Sequence, residues 1–186
     1  MNGIFLDIDG VINDHYNIRY NRRNGEFQPL DKRMVHMLSI IIDECPDVKI
    51  IISSTWRKLY TGEEFIKIFE DAGWSIPKSV LIGATPSGSG WRGHEIAHWL
   101  STNPLEKFVI LDDDLDVHKD HADNFMWINP DIGFTMAHMR NIIDYFNGDE
   151  KLKPVVYNSA REQRVQEPKH IPCTYHGRAQ EHYKWD

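Results

Sequence analysis

Two aspartates, Asp7 and Asp9, close a short apolar run from Gly3 to Ile8, and Gly10 stands directly behind them. Two positions apart on a regular strand, their side chains share one face. A turn at Gly10 can lift Asp9 away and free the pair for different work. With a divalent cation screening its charge, one carboxylate can attack phosphorus. The other can give a proton to the leaving oxygen and later take one from water. Two further apolar runs end in reactive residues. Val48 to Ile52 is followed by Ser53, Ser54, Thr55, Trp56 and Arg57; Phe108 to Leu111 is followed by Asp112, Asp113, Asp114, Leu115 and Asp116. Gathering several carboxylates in one place is costly unless a cation neutralises them. An all-oxygen donor set favours Mg²⁺ over zinc. A hydroxyl and a side-chain cation from neighbouring run ends would then hold the phosphoryl oxygens.

Such residues converge only if the runs that carry them lie side by side. The runs at 3–8, 48–52 and 108–111 are too short for helices and read as buried strands, with shorter strands at 80–82 and 125–128. Between them lie helical patterns. Asp31 caps a helix through Met34, Val35, Leu38, Ile41 and Ile42 that Pro46 ends. Thr61 with Glu64 forms a capping box before Phe65, Ile68 and Phe69, and Gly73 closes that helix. Trp91 to Leu100 and Met136 to Phe146 are two more helices, the second capped by Thr135. Residues 13–30 read as a loop or small insertion. Strands alternating with helices predict an α/β fold, a mostly parallel sheet flanked by helices on both faces. In such sheets ligands sit at the carboxyl ends of the strands, where the three reactive run ends fall.

The sequence resembles the haloacid dehalogenase (HAD) superfamily of phosphohydrolases. IFLDIDGVIND is similar to its first motif, KIIISSTWR to its second and FVILDDDLD to its fourth, in the expected order over about residues 3–146. The combination of SSTWR, GATP, WRGHEIAHWL and VILDDD is similar to the HAD domains of Swiss Army Knife RNA repair proteins and their phage and bacterial relatives. The resemblance implies a HAD-like, Rossmannoid fold with a small or absent cap. It implies Asp7 as nucleophile, and Asp9 as acid/base that also lends Mg²⁺ its backbone carbonyl. Ser53 would contact phosphate, with Ser54 in reserve. Asp113 would join Asp7 and Asp9 on Mg²⁺, and Asp112 would ligate directly or through water. Ser54, Arg57, Gly10 and Trp56 are the expected substrate contacts. The third motif departs from the usual lysine: Gly90-Trp91-Arg92-Gly93-His94 offers Arg92, with Arg57 and Lys58 as rivals.

Composition narrows the function further. The chain has 186 residues with 41% hydrophobic and 26% charged, globular proportions that exclude collagen, coiled coil and full-length disorder. No apolar run is long enough to span a membrane and no secretory leader is evident at the N-terminus. Two distant cysteines, Cys45 and Cys173, exclude a disulfide scaffold and favour a reducing cytoplasm. Residues 151–186 hold seven basic and four acidic residues, so the first 150 carry −10 of the net −7. That acidic body argues against a general nucleic-acid coat. Arg19, Arg22 and Arg23 with Tyr16 and Tyr20 form one basic, aromatic stretch that fits a nucleotide or nucleic-acid phosphate. The chain divides into a phosphatase domain over 1–148 and a polar arm or tail over 149–186. The arm is available for self-association, and its His170, Cys173, His176 and His182 read as solvent-exposed rather than as a zinc site. The expected activity is Mg²⁺-dependent hydrolysis of phosphomonoesters, on nucleotides or phosphorylated nucleic-acid ends. Alternatives are a binding or regulatory protein on the same scaffold, a phosphatase of small non-nucleotide metabolites, and phosphotransfer to an acceptor other than water.

Overall fold

Five parallel strands, β1 (Asn2–Leu6), β2 (Val48–Ile52), β3 (Leu81–Ala84), β4 (Phe108–Asp112) and β5 (Phe125–Trp127), form one sheet in the order β3-β2-β1-β4-β5. The structure, a computed structural model, describes residues 1–24, 30–88 and 90–155. Among the described residues the α-helices are α1 (His15–Asn24), α2 (Lys32–Glu44), α3 (Gly62–Asp71) and α4 (Arg92–Thr102), which lie between strands, and α5 (Met136–Asn147), which follows β5. Each expected strand is present, with bounds shifted by no more than about two residues.

The central strands are buried on both faces, which is why they read as unbroken apolar runs. Alternation then sorts their side chains. Ile4, Leu6, Ile50, Ile52, Val109 and Leu111 join one core with residues of α2, α3 and α5. Phe5, Ile51 and Ile110 face the other way and pack on Ile96 and Trp99 of α4. Phe5 meets the Trp99 ring edge-on at 5.4 Å. Thus α4 covers one face and three helices cover the other.

The helix starts follow local chemistry. Asp31 accepts from the Arg33 amide at 2.8 Å, and Thr61 and Glu64 complete their capping box. Within residues 13–30, expected as a loop or small insertion, α1 occupies 15–24, so the loop alternative does not hold there. This helix lacks a sustained apolar stripe and begins on caps instead. Asp14 accepts from the Asn17 amide at 2.6 Å, and the His15 amide donates to the Pro130 carbonyl at 2.8 Å.

The chain stays tied to the body a little beyond residue 148. Lys107 Nζ donates to the carbonyls of Tyr145 and Asp149 at 2.7 and 3.1 Å, and the Lys153 amide donates to Asn141 Oδ1 at 3.0 Å. Residues 156–186 lie outside the described residues, and with them His170, Cys173, His176 and His182. Among the described residues no helix is long and apolar enough to cross a membrane.

Candidate active site

Strand register brings the reactive run ends level. Leu6 pairs with Ile52 on one side and Leu111 on the other. The ladder then runs one residue further. The amide of Asp7 donates to Leu111 at 3.0 Å, that of Ser53 to Leu6 at 3.0 Å, and that of Thr85 to Ile52 at 2.9 Å. Thr85, Ser53, Asp7 and Asp112 therefore stand abreast at the carboxyl edge. Leu6, Ile52 and Leu111 point to the three-helix face, so alternation turns the next residue of each strand toward α4. Arg92, the first residue of α4, meets them there.

Arg92 Nη1 donates to Asp7 Oδ2 at 2.5 Å and also to Asp112 Oδ2. Two features fix that geometry. The Arg92 amide donates to Asp116 Oδ2 at 2.7 Å, so Asp116 serves the open first turn of α4. A Cβ on Gly93 would strike the backbone of His118 and Val117, so only glycine lets the first turn lie this flat on residues 116–118. Burial works against the Arg92 charge, but the carboxylates of Asp112 and Asp7 outweigh it and hold the guanidinium above its ordinary pKa.

Asp7, Asp112 and Asp113 each present a carboxylate oxygen within 4.8 Å of the others. Gly10 makes room for the third. Its φ is +80°, and a Cβ there would lie 2.5 Å from the Asp113 carboxyl. Burial, then the charge of Asp7, pushes Asp112 up to about 8 and Asp113 up to about 6. Three clustered carboxylates against one guanidinium leave negative charge uncompensated. Their hard oxygen donors fit Mg²⁺.

Among the described residues, Ser53 Oγ and Thr85 Oγ1 are buried without a hydrogen-bond partner. A buried hydroxyl left unpaired costs about 1–3 kcal/mol, and an incoming phosphoryl oxygen would remove that cost. Ser54 instead accepts from the Trp56 amide at 3.3 Å and starts a 3₁₀ turn over Thr55–Lys58. Arg57, an expected substrate contact and a rival to Arg92, turns inward. Only 5% exposed, it donates to the carbonyls of Ser53 and Ser54 at 2.5 and 2.6 Å and to Glu95. It holds the backbone of Ser53 and Ser54 through Nη1 and pairs with Glu95 through Nη2, while its Nε is buried without a hydrogen-bond partner among the described residues. Burial lowers its pKa against the pull of Glu95. Lys58, the other rival, is exposed on the turn.

The Asp9 side chain lies outside the three-carboxylate cluster and is exposed. It accepts from Trp56 Nε1 at 2.8 Å and from Asn13 Nδ2 at 3.0 Å. Asp114 is exposed and turns its carboxylate to the Leu115 amide at 2.7 Å. Trp91, directly before Arg92, is 40% exposed. Arg19 and Arg23 are exposed on α1; the side chains of Tyr20 and Arg22 lie outside the described residues.

The family model for the HAD domain in Swiss Army Knife RNA repair proteins matches residues 3–139. The chain belongs to that family. This HAD domain carries its five-stranded parallel sheet and its three motif-bearing strand ends within the matched span. Membership points to phosphohydrolase activity in general, and HAD domains generally use Mg²⁺, for which the aspartate cluster offers ligands. No curated protein and no solved structure matches the chain.

Four residues of the HAD domain site lie inside the quoted motifs but are given no role by a motif reading: Thr85, Glu95, Asp116 and Asn13. Glu95 had a readable signal, because it lies one turn from Arg92 on the face that buries Ile96. Thr85 follows a short apolar run, as Ser53 does. Asp116 and Asn13 act through backbone and side-chain bonds that spacing does not announce.

Proposed function

We propose that the chain is a Mg²⁺-dependent phosphomonoester hydrolase that works through an aspartyl-phosphate on Asp7. The observation that carries this reading is the bridge from Arg92 to Asp7 and Asp112, with Asp113 beside them. Asp7, Asp112 and Asp113, with the Asp9 backbone carbonyl, would hold the metal. Bound there, Mg²⁺ supplies positive charge that lets the Asp7 carboxylate approach a phosphate dianion.

The chain's own groups do the rest. Arg92 orients Asp7 and offers its remaining N–H groups to phosphoryl oxygens. Ser53 donates its unpaired hydroxyl to another, and Thr85 is placed to do the same. Asp7 forms a bond to phosphorus as the ester bond breaks, and Asp9 gives a proton to the leaving oxygen. Water then attacks phosphorus, Asp9 takes its proton, and the bond to Asp7 breaks to release phosphate.

Nucleotides or phosphorylated nucleic-acid ends are the favoured substrates. The family description supports this, as do the short gaps between motifs, filled by α1 and α2 and by α3 and β3. Exposed Arg19 and Arg23 lie on the helix that follows the first motif. The two distant cysteines support a cytoplasmic setting. A phosphate-release panel with Mg²⁺ tests the reading. It compares nucleoside 5′- and 3′-monophosphates, short oligonucleotides phosphorylated at either end, and sugar phosphates. Release from the first two groups is expected. Release from sugar phosphates alone would reassign the substrate class, and no release would favour a binding protein on a HAD scaffold.

A further inference from the structure

We propose that Trp56 and Asn13 are positioning residues that clamp Asp9 for proton transfer, an inference that rests on the acid/base role given to Asp9 above. Asp9 is an exposed carboxylate on the turn that follows β1. Without partners such a side chain would rotate among several conformers. Here each oxygen has its own donor. Trp56 Nε1 reaches Oδ2 at 2.8 Å and Asn13 Nδ2 reaches Oδ1 at 3.0 Å. Each carboxylate oxygen has two acceptor positions, so one on each stays open to carry or take a proton.

The clamp is itself held. The Trp56 amide is bonded to Ser54, and its ring sits 5.5 Å from that of Tyr60 on the edge of the main core. Asn13 accepts from Asn17 at 3.0 Å through the other end of its amide, which fixes which end faces Asp9. The Gly10 amide donates to the Asn13 carbonyl at 2.8 Å and closes the turn. Trp56 belongs to the turn after β2 and Asp9 to the turn after β1. The indole bond thus ties the acid/base to the strand end that carries Ser53. A 1 Å misplacement of a catalytic group can cost about a hundredfold in rate, and a donor on each oxygen guards against it.

The test uses leaving groups that differ in their need for a proton. 4-Nitrophenyl phosphate releases an acidic phenol that departs unaided, whereas a simple alkyl phosphate needs its oxygen protonated. Trp56→Phe keeps an aromatic ring over Tyr60 but loses the N–H; Asn13→Ala removes the second donor. Asp9→Asn is the reference, and inhibition by inorganic phosphate reports whether the phosphate pocket is intact. For Trp56→Phe and Asn13→Ala, kcat on the alkyl phosphate should fall at least about tenfold more than kcat on 4-nitrophenyl phosphate. Inhibition by phosphate should shift less than about threefold. Equal losses on both esters would mark Trp56 and Asn13 as merely structural and overturn the proposal. So would no loss on either, while Asp9→Asn keeps its leaving-group dependence. If Asp9→Asn shows no such dependence, the acid/base reading fails and takes the clamp with it.

Discussion

Nη1 of Arg92 lies 2.5 Å from Asp7 Oδ2 and is shared with Asp112. A single nitrogen serves both carboxylates, so the contact behaves as a point charge and does not use the two-pronged fork of arginine. Arg92→Ala should lower kcat at least about a hundredfold, the usual scale for losing one preorganised charge-stabilising donor. Arg92→Lys should recover a sizeable part of that loss. Steady-state kinetics on the best substrate of the panel decides it. Equal failure of both variants would mean that the planar fork itself is needed.

Asp7→Asn should abolish turnover while the fold survives. The change is nearly isosteric and removes both the nucleophile and one charge from a crowded group. The metal-free variant should melt no lower than the parent. Turnover above about a tenth of the parent, only ~1.4 kcal/mol of barrier, would move the nucleophile elsewhere.

Metal affinity should depend on pH. Asp113 is raised to about 6 and Asp112 to about 8, chiefly by burial and next by the charge of Asp7. A carboxyl raised on folding binds its proton more tightly in the folded state. Its contribution to stability is full below the ordinary carboxylate range and is lost progressively above it, by about pH 6 for Asp113 and about pH 8 for Asp112. Metal-free protein should therefore lose stability over that window. Mg²⁺ replaces the protons, so its apparent Kd should fall with rising pH, by up to about tenfold per unit for each proton released. Calorimetric titrations at pH 6, 7 and 8 read this directly, and a flat profile would remove these carboxylates from the metal site. Ca²⁺ should support turnover poorly, because it accepts longer bonds and more ligands.

Glu95 and Arg57 form a buried pair, 7% and 5% exposed. Glu95→Ala leaves a buried guanidinium without its carboxylate and should cost about 3 kcal/mol. Thermal unfolding should show it as a drop of roughly 10 °C. Because Arg57 also holds the Ser53 and Ser54 carbonyls, activity should fall further than stability explains. A variant of undiminished stability and activity would make the pair incidental.

Replacing Arg19, Arg22 and Arg23 with Ala should raise KM for a phosphorylated oligonucleotide more than for a mononucleotide, with kcat little changed. These contacts would bind ground and transition states alike. The salt dependence of KM should also flatten in the triple variant. Equal effects on both substrates would favour a small metabolite, in keeping with the acidic first 150 residues.

Much of the fold was legible locally. Apolar runs bounded by Asp, Ser and Gly marked the strands, and Asp31 and Thr61 with Glu64 marked helix starts. These signals act over a few residues. Helix α1 was not legible, because its start depends on Asp14 and on the Pro130 carbonyl, more than 100 positions away.

The sequence by itself determined that three carboxylate- or hydroxyl-bearing strand ends exist, in an order that marks a HAD domain. Each is written in consecutive residues, and parallel pairing of apolar strands brings such ends to one edge. The tertiary structure decided which cation meets Asp7, because Arg92 is 85 positions away and its reach depends on the docking of α4 through Gly93 and Asp116. It also turned Arg57 inward onto Glu95, 38 positions on, and put Trp56 on Asp9, 47 positions back. Side-chain type and spacing say what a residue can do. Which partner it finds is a matter of packing between elements, and that becomes definite only when the sheet and its helices close on one another.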